Sequence, residues 1–487
     1  MRWWRTAAVF GAVAVSLAHV GSPDTIFEGQ AGPYPIRVVV RTPGVVPGLA
    51  DIAVRVTGGP GGVSLVTVIP LRGGLPTAQE PPPDTARVVP GDSTLYSAQL
   101  WLMRFGAYSV RVTVTGAGGA GSAIVPVNAI ATGRLEMRRP VAIALIALGV
   151  FLFVGAVTIV AAAVRESVLP PGEQPDAARR RRSWIVAGIA TVLFVVGLYF
   201  GSMWWNTEDK AFRQRIYRPP AVTSTVIERG NARVLRFALA DSSRFRREYA
   251  PLIPDHGKLM HLFLVGAGDE PAMAHLHPRP VDSTTFEAAL PPLPAGRYYV
   301  FADIVHETGF SQTLTDTLLV PSTPQRAWTP SDPDDAWHAG AAPAPIEWAR
   351  PAELRRGSDV ELEFAVTEGS VQSYMGMAGH AVVARRDGGV FVHLHPNGTI
   401  PVAAQMVYEL RQPGDTVRGR LGQRISQHAS SQHEIRRGDA PRGNVEEGRN
   451  NVVTFPYAFP SPGSYRIWVQ VKSGGRIVTG AFTAEVS

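Results

Sequence analysis

The sequence predicts a mainly β protein: three immunoglobulin-like β-sandwich domains, two transmembrane α-helices and an N-terminal signal segment. Three observations lead there. Apolar residues gather in long uninterrupted blocks, one β-type pattern recurs three times, and 49 glycines and 41 prolines among 487 residues cut the remainder into short segments. The chain is long enough for about three domains with cores of their own.

Residues 1–21 carry Arg2 and Arg5, an apolar stretch from Ala7 to Ala18, then small and polar residues, the layout of a secretory signal. The domain that follows, 22–138, is therefore expected outside the cytoplasm. Val141 to Val164 is a continuous apolar run of 24 residues, enough to cross ~30 Å of hydrocarbon. Trp184 to Trp205 is a second such run, with Trp204 and Trp205 suited to the membrane boundary. The spans are placed at 139–164 and 184–205. Between them lies a basic loop, 165–183, in which Arg165 and Arg179 to Arg182 mark the cytoplasmic side. Residues 206–487 then return to the outside.

The outer parts share a repeat. Asp92-Ser93-Thr94, Tyr96, Ala98, Leu100, Gly106, Tyr108 and Val110 recur at a constant offset of 190 as Asp282-Ser283-Thr284, Phe286, Ala288, Leu290, Gly296, Tyr298 and Val300. Phe455, Gly463, Tyr465, Ile467 and Val469 repeat the last part. Each Gly-x-Tyr opens an alternating strand, with Gly permitting the turn and Tyr packing across the strand root. Boundaries follow composition: a second sandwich at 206–320, a Pro-rich linker at 321–351, and a third sandwich at 352–487. The polar segment 411–450 reads as a mobile insertion, and its His428 and His433 as solvated loop residues.

Composition excludes several chemistries. There is no cysteine, hence no disulfide, thiolate zinc site, iron–sulfur cluster or cysteine nucleophile. The net charge of +7 is spread along the chain and gives no nucleic-acid footprint. No nucleophile elbow, phosphate loop or two-histidine zinc helix occurs, so the chain is not expected to be an enzyme.

Histidine carries the signal. Eleven of 12 histidines lie after residue 255, and six form two matching sets: His261 with His275-Leu276-His277-Pro278, and His380 with His393-Leu394-His395-Pro396. Alternate residues on a strand share a face, so each His-Leu-His presents two imidazoles together. Asp387-Gly388 is a two-residue hairpin signal, and pairing around it joins residues whose numbers sum to 775, bringing His380 opposite His395 with His393 beside it. A sum of 538 does the same for His261, His277 and His275. Each set then converges on one metal ion. Phe263, Val265, Val382 and Phe391 share these faces, which implies partial burial. Met260, Met273, Met375 and Met377 flank the clusters and His306 follows the Gly-x-Tyr strand; these five are secondary candidates, as is His256. Imidazole with thioether suits copper best, with zinc as the alternative.

With these residues in view, the first sandwich, through Pro35 to Val40, Pro43-Gly44, Leu95-Tyr96-Ser97 and Gly106-Ala107-Tyr108, resembles YtkA-like and FixH-like extracytoplasmic domains. The Met-His-Leu and His-Leu-His-Pro segments resemble histidine- and methionine-bearing sandwich proteins of bacterial periplasms associated with copper handling. The resemblance implies metal capture, delivery or resistance at the outer face of the bacterial inner membrane. Implied partners are the lipid bilayer and a membrane metalloprotein or oxidase. The competing reading is a non-catalytic assembly protein whose sandwiches bind a membrane complex.

Overall fold

Strands dominate the chain because alternating apolar and polar residues can bury one face of a sheet and wet the other. The computed structural model describes residues 24–59, 61–72, 81–170, 172–240, 251–322, 328–340, 344–411, 421–425 and 451–487. The expected signal segment, His428 and His433 lie outside them. Two units are distinguished, 130–218 and the remainder.

Among the described residues the larger unit holds six antiparallel sheets, which pair into three β units, each around its own apolar cluster. In the first, Val38, Ile52 and Leu100 of a five-stranded sheet meet Val66, Val112 and Val125 of a four-stranded one. In the second, Phe237 and Phe286 meet Leu262, Val300 and Leu314. In the third, Phe364 and Phe455 meet Val383, Val392 and Ile467.

The repeated residues do the same work in each copy. Gly106, Gly296 and Gly463 have φ of 125°, 150° and 136°, a backbone region that side chains rarely enter. Each following tyrosine reaches back four residues with its hydroxyl: Tyr298 donates to the Pro294 carbonyl at 2.8 Å, Tyr465 to that of Ser461 at 2.7 Å, and Tyr108 accepts from the Arg104 amide at 3.1 Å. Asp92 and Asp282 each accept the amide hydrogen of the threonine two residues on, at 3.0 and 2.8 Å, fixing the turn before their strands.

The second and third units share a buried interface with an apolar centre. Strands His261–Gly266 and Met273–Leu276 are buried along their whole length. One face serves their own core; the other packs on strands His380–Arg385, Phe391–Leu394 and Gly463–Ser473 of the third unit. Phe263, Val265, Met273 and Phe301 meet Val382, Ala384, Phe391 and Trp468 there, with Phe301 stacked on Phe391 at 4.1 Å and 11°. Each fully buried side chain of this size contributes roughly 1.5–3 kcal/mol relative to exposure. Arg466, only 5% exposed, donates to the carbonyls of Glu270 and Gly268 at 2.9 Å, closing the rim of the interface with a charge whose donors are paired.

Two segments differ from expectation. Within the Pro-rich linker, Ala336–His338 is a strand paired to Met273–Leu276, so the segment adds to a sheet instead of spacing two domains. The expected insertion begins after helix Val402–Leu410, and in its described portion Leu421 and Ile425 are buried with Ile253, Val305 and Val407. Apolar side chains spaced one helical turn apart inside a polar stretch are easily overlooked in composition.

In the smaller unit, helices α1, Arg139–Glu166, and α2, Ala177–Arg215, are long and apolar enough to cross a membrane. They run antiparallel, since Phe153 meets Phe194 with ring centroids 6.0 Å apart and Ser183 bonds the Ala161 carbonyl at 2.8 Å. Ile143, Phe151, Ile159 and Leu193 are 64–72% exposed, an apolar surface that water would penalise and hydrocarbon would not. α2 spans 39 residues and extends past the expected 184–205 at both ends. The basic loop is correspondingly short, because Asp176 caps the Arg179 amide at 2.7 Å and draws Arg179 to Arg182 into the first turns. At the other end Asp209 pairs with Arg134 at 3.0 Å and Arg213 at 2.8 Å.

Candidate metal centre

Both histidine registers match their expected sums. Leu262 pairs with Leu276 and Phe263 with His275; Ala381 pairs with Leu394 and Val382 with His393. No bulge intervenes, so the faces are as expected. The turn differs in length: Arg385 and Val390 close the ladder at 2.9 Å, leaving four residues, 386–389, in the loop. Pairing symmetry is unchanged, because a loop with two more residues about the same centre keeps the register.

Each set of three brings ligand nitrogens within 4.8 Å of one another: His261, His275 and His277, and His380, His393 and His395. All six are buried. The two sets also meet across the interface between the units, with His261 and His275 5.4 and 5.6 Å from His393, centroid to centroid. His256 adds a seventh ring, 5.3 Å from His380, 5.1 Å from His395 and 6.1 Å from His261.

Surrounding hydrogen bonds orient these rings. His261 Nε2 donates to the Asp255 carbonyl at 3.1 Å, which leaves Nδ1 as its lone pair. His275 Nδ1 donates to Gln470 Oε1 at 2.9 Å, leaving Nε2 as its lone pair; the other end of the Gln470 amide donates to Thr479 at 3.2 Å. These two lone pairs face each other at 3.1 Å. His277 Nδ1 bonds Asp335 at 3.1 Å and directs its own lone pair, Nε2, to a position without a partner. With all three rings neutral, the first set therefore aims three lone pairs inward and supplies no proton between them.

The second set differs at one ring, since among the described residues nothing holds His380 Nε2 and its Nδ1 is free to donate to His393. His393 Nδ1 lies 3.5 Å from Asp303, whose carboxylate also accepts from Thr313. His395 Nδ1 donates to the Ile400 carbonyl at 3.1 Å, and His393 Nε2 faces His380 Nδ1 at 3.1 Å. His256, His277, His380 and His395 each keep a buried Nε2 without a hydrogen-bond partner. Orphaned buried nitrogens cost about 1–3 kcal/mol each, which a bound cation would recover.

Burial, and then the neighbouring imidazoles, hold His261, His275, His380 and His393 well below the ordinary histidine pKa. For His277 burial is followed by the Lys258 charge, and for His395, lowered to about 4, by His256. The rings are thus neutral at pH 7, the form that binds metal. Burial raises Asp335 to about 6 and Asp303 to about 7.

The donor set fits a metal that accepts nitrogen. The secondary candidates separate. Met260 lies in the apolar core of the second unit and Met273 in the interface cluster, where both fill space. His306 bonds Gln312 at 2.8 Å and belongs to neither set of three. Met377 closes a turn with Tyr374 through backbone bonds, and Met375 sits within that turn, 9% exposed. Sequence reasoning missed the orienting residues. Asp303 and Gln470 follow Tyr298 and Tyr465 by five positions, each a polar residue in an apolar strand, and that break in pattern was a usable signal. Asp335 lay hidden in the Pro-rich segment.

The first β unit takes part too, although it lacks histidine among its described residues. Phe27 bridges Gly398, the Glu28 amide donates to the Asn397 carbonyl at 2.9 Å, and Ile400 is buried in the first unit's core. The loop that supplies the carbonyl for His395 is therefore held from outside its own unit.

A domain family of unknown function, DUF8832, matches residues 424–487, a stretch that contains Gln470 and Thr479 but none of the six paired histidines. No curated protein matches the chain. Solved structures with some similarity include the Escherichia coli alpha-2-macroglobulin in its native conformation, at 10% identity and a TM-score of 0.17 over 94% of this chain and 26% of that one. The ICAM-5 D1–D4 ectodomain fragment has 12% identity and a TM-score of 0.15, over 95% of this chain and 75% of that one. A putative membrane anchored protein from Corynebacterium diphtheriae has 9% identity and a TM-score of 0.14, over 95% and 94% respectively. This chain spans about a quarter of the macroglobulin, and scores at this level define no shared fold.

Proposed function

We propose that this chain is a membrane-anchored metal-binding protein, with copper as its metal and with capture or delivery at the outer face of a bacterial inner membrane as its role. The observation that carries the reading is the meeting of His261 Nδ1 and His275 Nε2 at 3.1 Å, both left as lone pairs by their other hydrogen bonds. Two acceptors that close repel unless a cation lies beside them. Imidazoles serve copper in both oxidation states as well as zinc, and Met375 and Met377, just before His380 in the chain, favour copper between the two. When bound, the metal supplies a cationic centre that these rings hold and shield from water. The run Arg179 to Arg182, at the start of α2, supports a cytoplasmic hairpin loop with the β units outside.

The test is the copper and zinc content of the full chain purified in detergent, compared with a His393→Ala, His395→Ala variant. Loss of about one ion per chain in the variant supports the reading. Equal metal content in the two proteins, or none in either, would return the histidines to a packing role and favour an assembly protein.

A further inference from the structure

The offset of 119 that relates His261 to His380 also relates the turn Asp255-His256-Gly257-Lys258 to Tyr374-Met375-Gly376-Met377. The two turns are the same object. Asp255 and Lys258 exchange backbone hydrogen bonds at 2.9 Å; Tyr374 and Met377 do so at 2.8 and 3.1 Å. His256 and Met375 have φ of 50° and 49°, followed by Gly257 and Gly376 at 81° and 83°. Positive φ at both central residues is what a tight two-residue hairpin turn requires, and in each copy the first of them carries a side chain where glycine would be less strained.

The turns reach across the interface in opposite directions. Asp255, of the second unit, accepts from the Ala403 amide of the third at 2.8 Å, and His256 beside it lies against His380 and His395 of the third unit's set. Tyr374, of the third unit, donates to the Asp334 carbonyl at 3.1 Å, and Asp334 adjoins Asp335, which holds His277 of the second unit's set. Met375 thus holds the position of His256 in the corresponding turn, whose Tyr374 reaches the backbone next to Asp335. The buried, unpartnered Nε2 of His256 is a free ligand atom.

Building on the metal-binding reading, we infer that the centre is dinuclear with exchanged fourth ligands: His256 completes the site of His380, His393 and His395, and Met375 completes that of His261, His275 and His277. The two ions then differ in chemistry. An all-nitrogen site suits either copper oxidation state, whereas a thioether favours copper(I).

The experiment loads the metal-depleted full chain in detergent with copper(I) and records copper content and the copper-edge X-ray absorption of wild type, Met375→Leu and His256→Ala. The expected wild type holds two copper ions per chain with a sulfur neighbour on one. Met375→Leu, which conserves volume, should lose the sulfur shell and retain about one ion against a competing chelator. His256→Ala should keep the sulfur shell and weaken the other ion. Two ions without sulfur, or a sulfur shell that survives Met375→Leu, would overturn the exchange while leaving metal binding intact. One ion per chain would overturn the dinuclear centre, and a wild type that takes up no copper would overturn both readings.

Discussion

Gln470 of the third β unit fixes the tautomer of His275 in the second, accepting from Nδ1 at 2.9 Å. Asp303 of the second unit reaches across in the opposite sense, its carboxyl 3.5 Å from Nδ1 of His393 of the third. Each residue is itself held by a threonine on the neighbouring strand, Gln470 by Thr479 and Asp303 by Thr313. One ligand ring of each set is thus contacted by a polar side chain of the other unit, so docking of the two units bears on both sets.

Replacing Gln470 with Leu removes the acceptor and frees the His275 ring to turn its N–H inward. Metal affinity is expected to fall by roughly 10–100-fold, as for other residues that orient a ligand. Competition with a chelator measures it, and Gln470→Glu, which keeps an acceptor, should recover most of the loss.

Phe391 stacks on Phe301 and is fully buried between the units. Phe391→Ala should cost about 3–5 kcal/mol of stability, read from denaturant unfolding, because the cavity lies between two sheets that cannot collapse onto it. Copper retention should fall with it, since the two units would no longer hold each other's histidines in place.

The metal-free protein should lose stability in acid. The six paired imidazoles are held below their ordinary 6.5 in the folded chain, so the unfolded chain binds more protons below that pH. This contribution is complete above about pH 6.5 and declines as pH falls toward the folded values, by at most about 1.4 kcal/mol per histidine per pH unit. Thermal melting between pH 7.5 and 4.5 tests the sign; constant or rising stability would contradict it. Bound metal should flatten the decline near neutral pH, since it competes with the protons.

Ile400 is buried in the first unit while its carbonyl orients His395. Ile400→Ala should destabilise by about 2–5 kcal/mol. It should also weaken the metal site of the second set more than that of the first. Equal effects on both sites would mean that the first unit does not brace this loop.

The repeat was legible in sequence because each copy needs the same glycine and tyrosine at its strand root, and the first two share the aspartate that forms the preceding turn. The histidine registers were legible for a related reason: the alternation of a strand leaves one register that keeps Phe263, His261 and His275 on a single face. The meeting of the two sets was not, because no local pattern encodes which outer sheet faces will dock. The two sheets read only as unusually apolar on both sides. Asp335 and the strand around it were obscured by prolines, and His256 gained meaning only through its correspondence with Met375.

The most direct test is a crystal of the copper-loaded chain measured at the copper absorption edge. The account expects one anomalous peak at about 2.0–2.1 Å from His261 Nδ1, His275 Nε2 and His277 Nε2, and a second among His380, His393 and His395. Copper absent from both positions, with His261 and His275 still 3.1 Å apart, would contradict it.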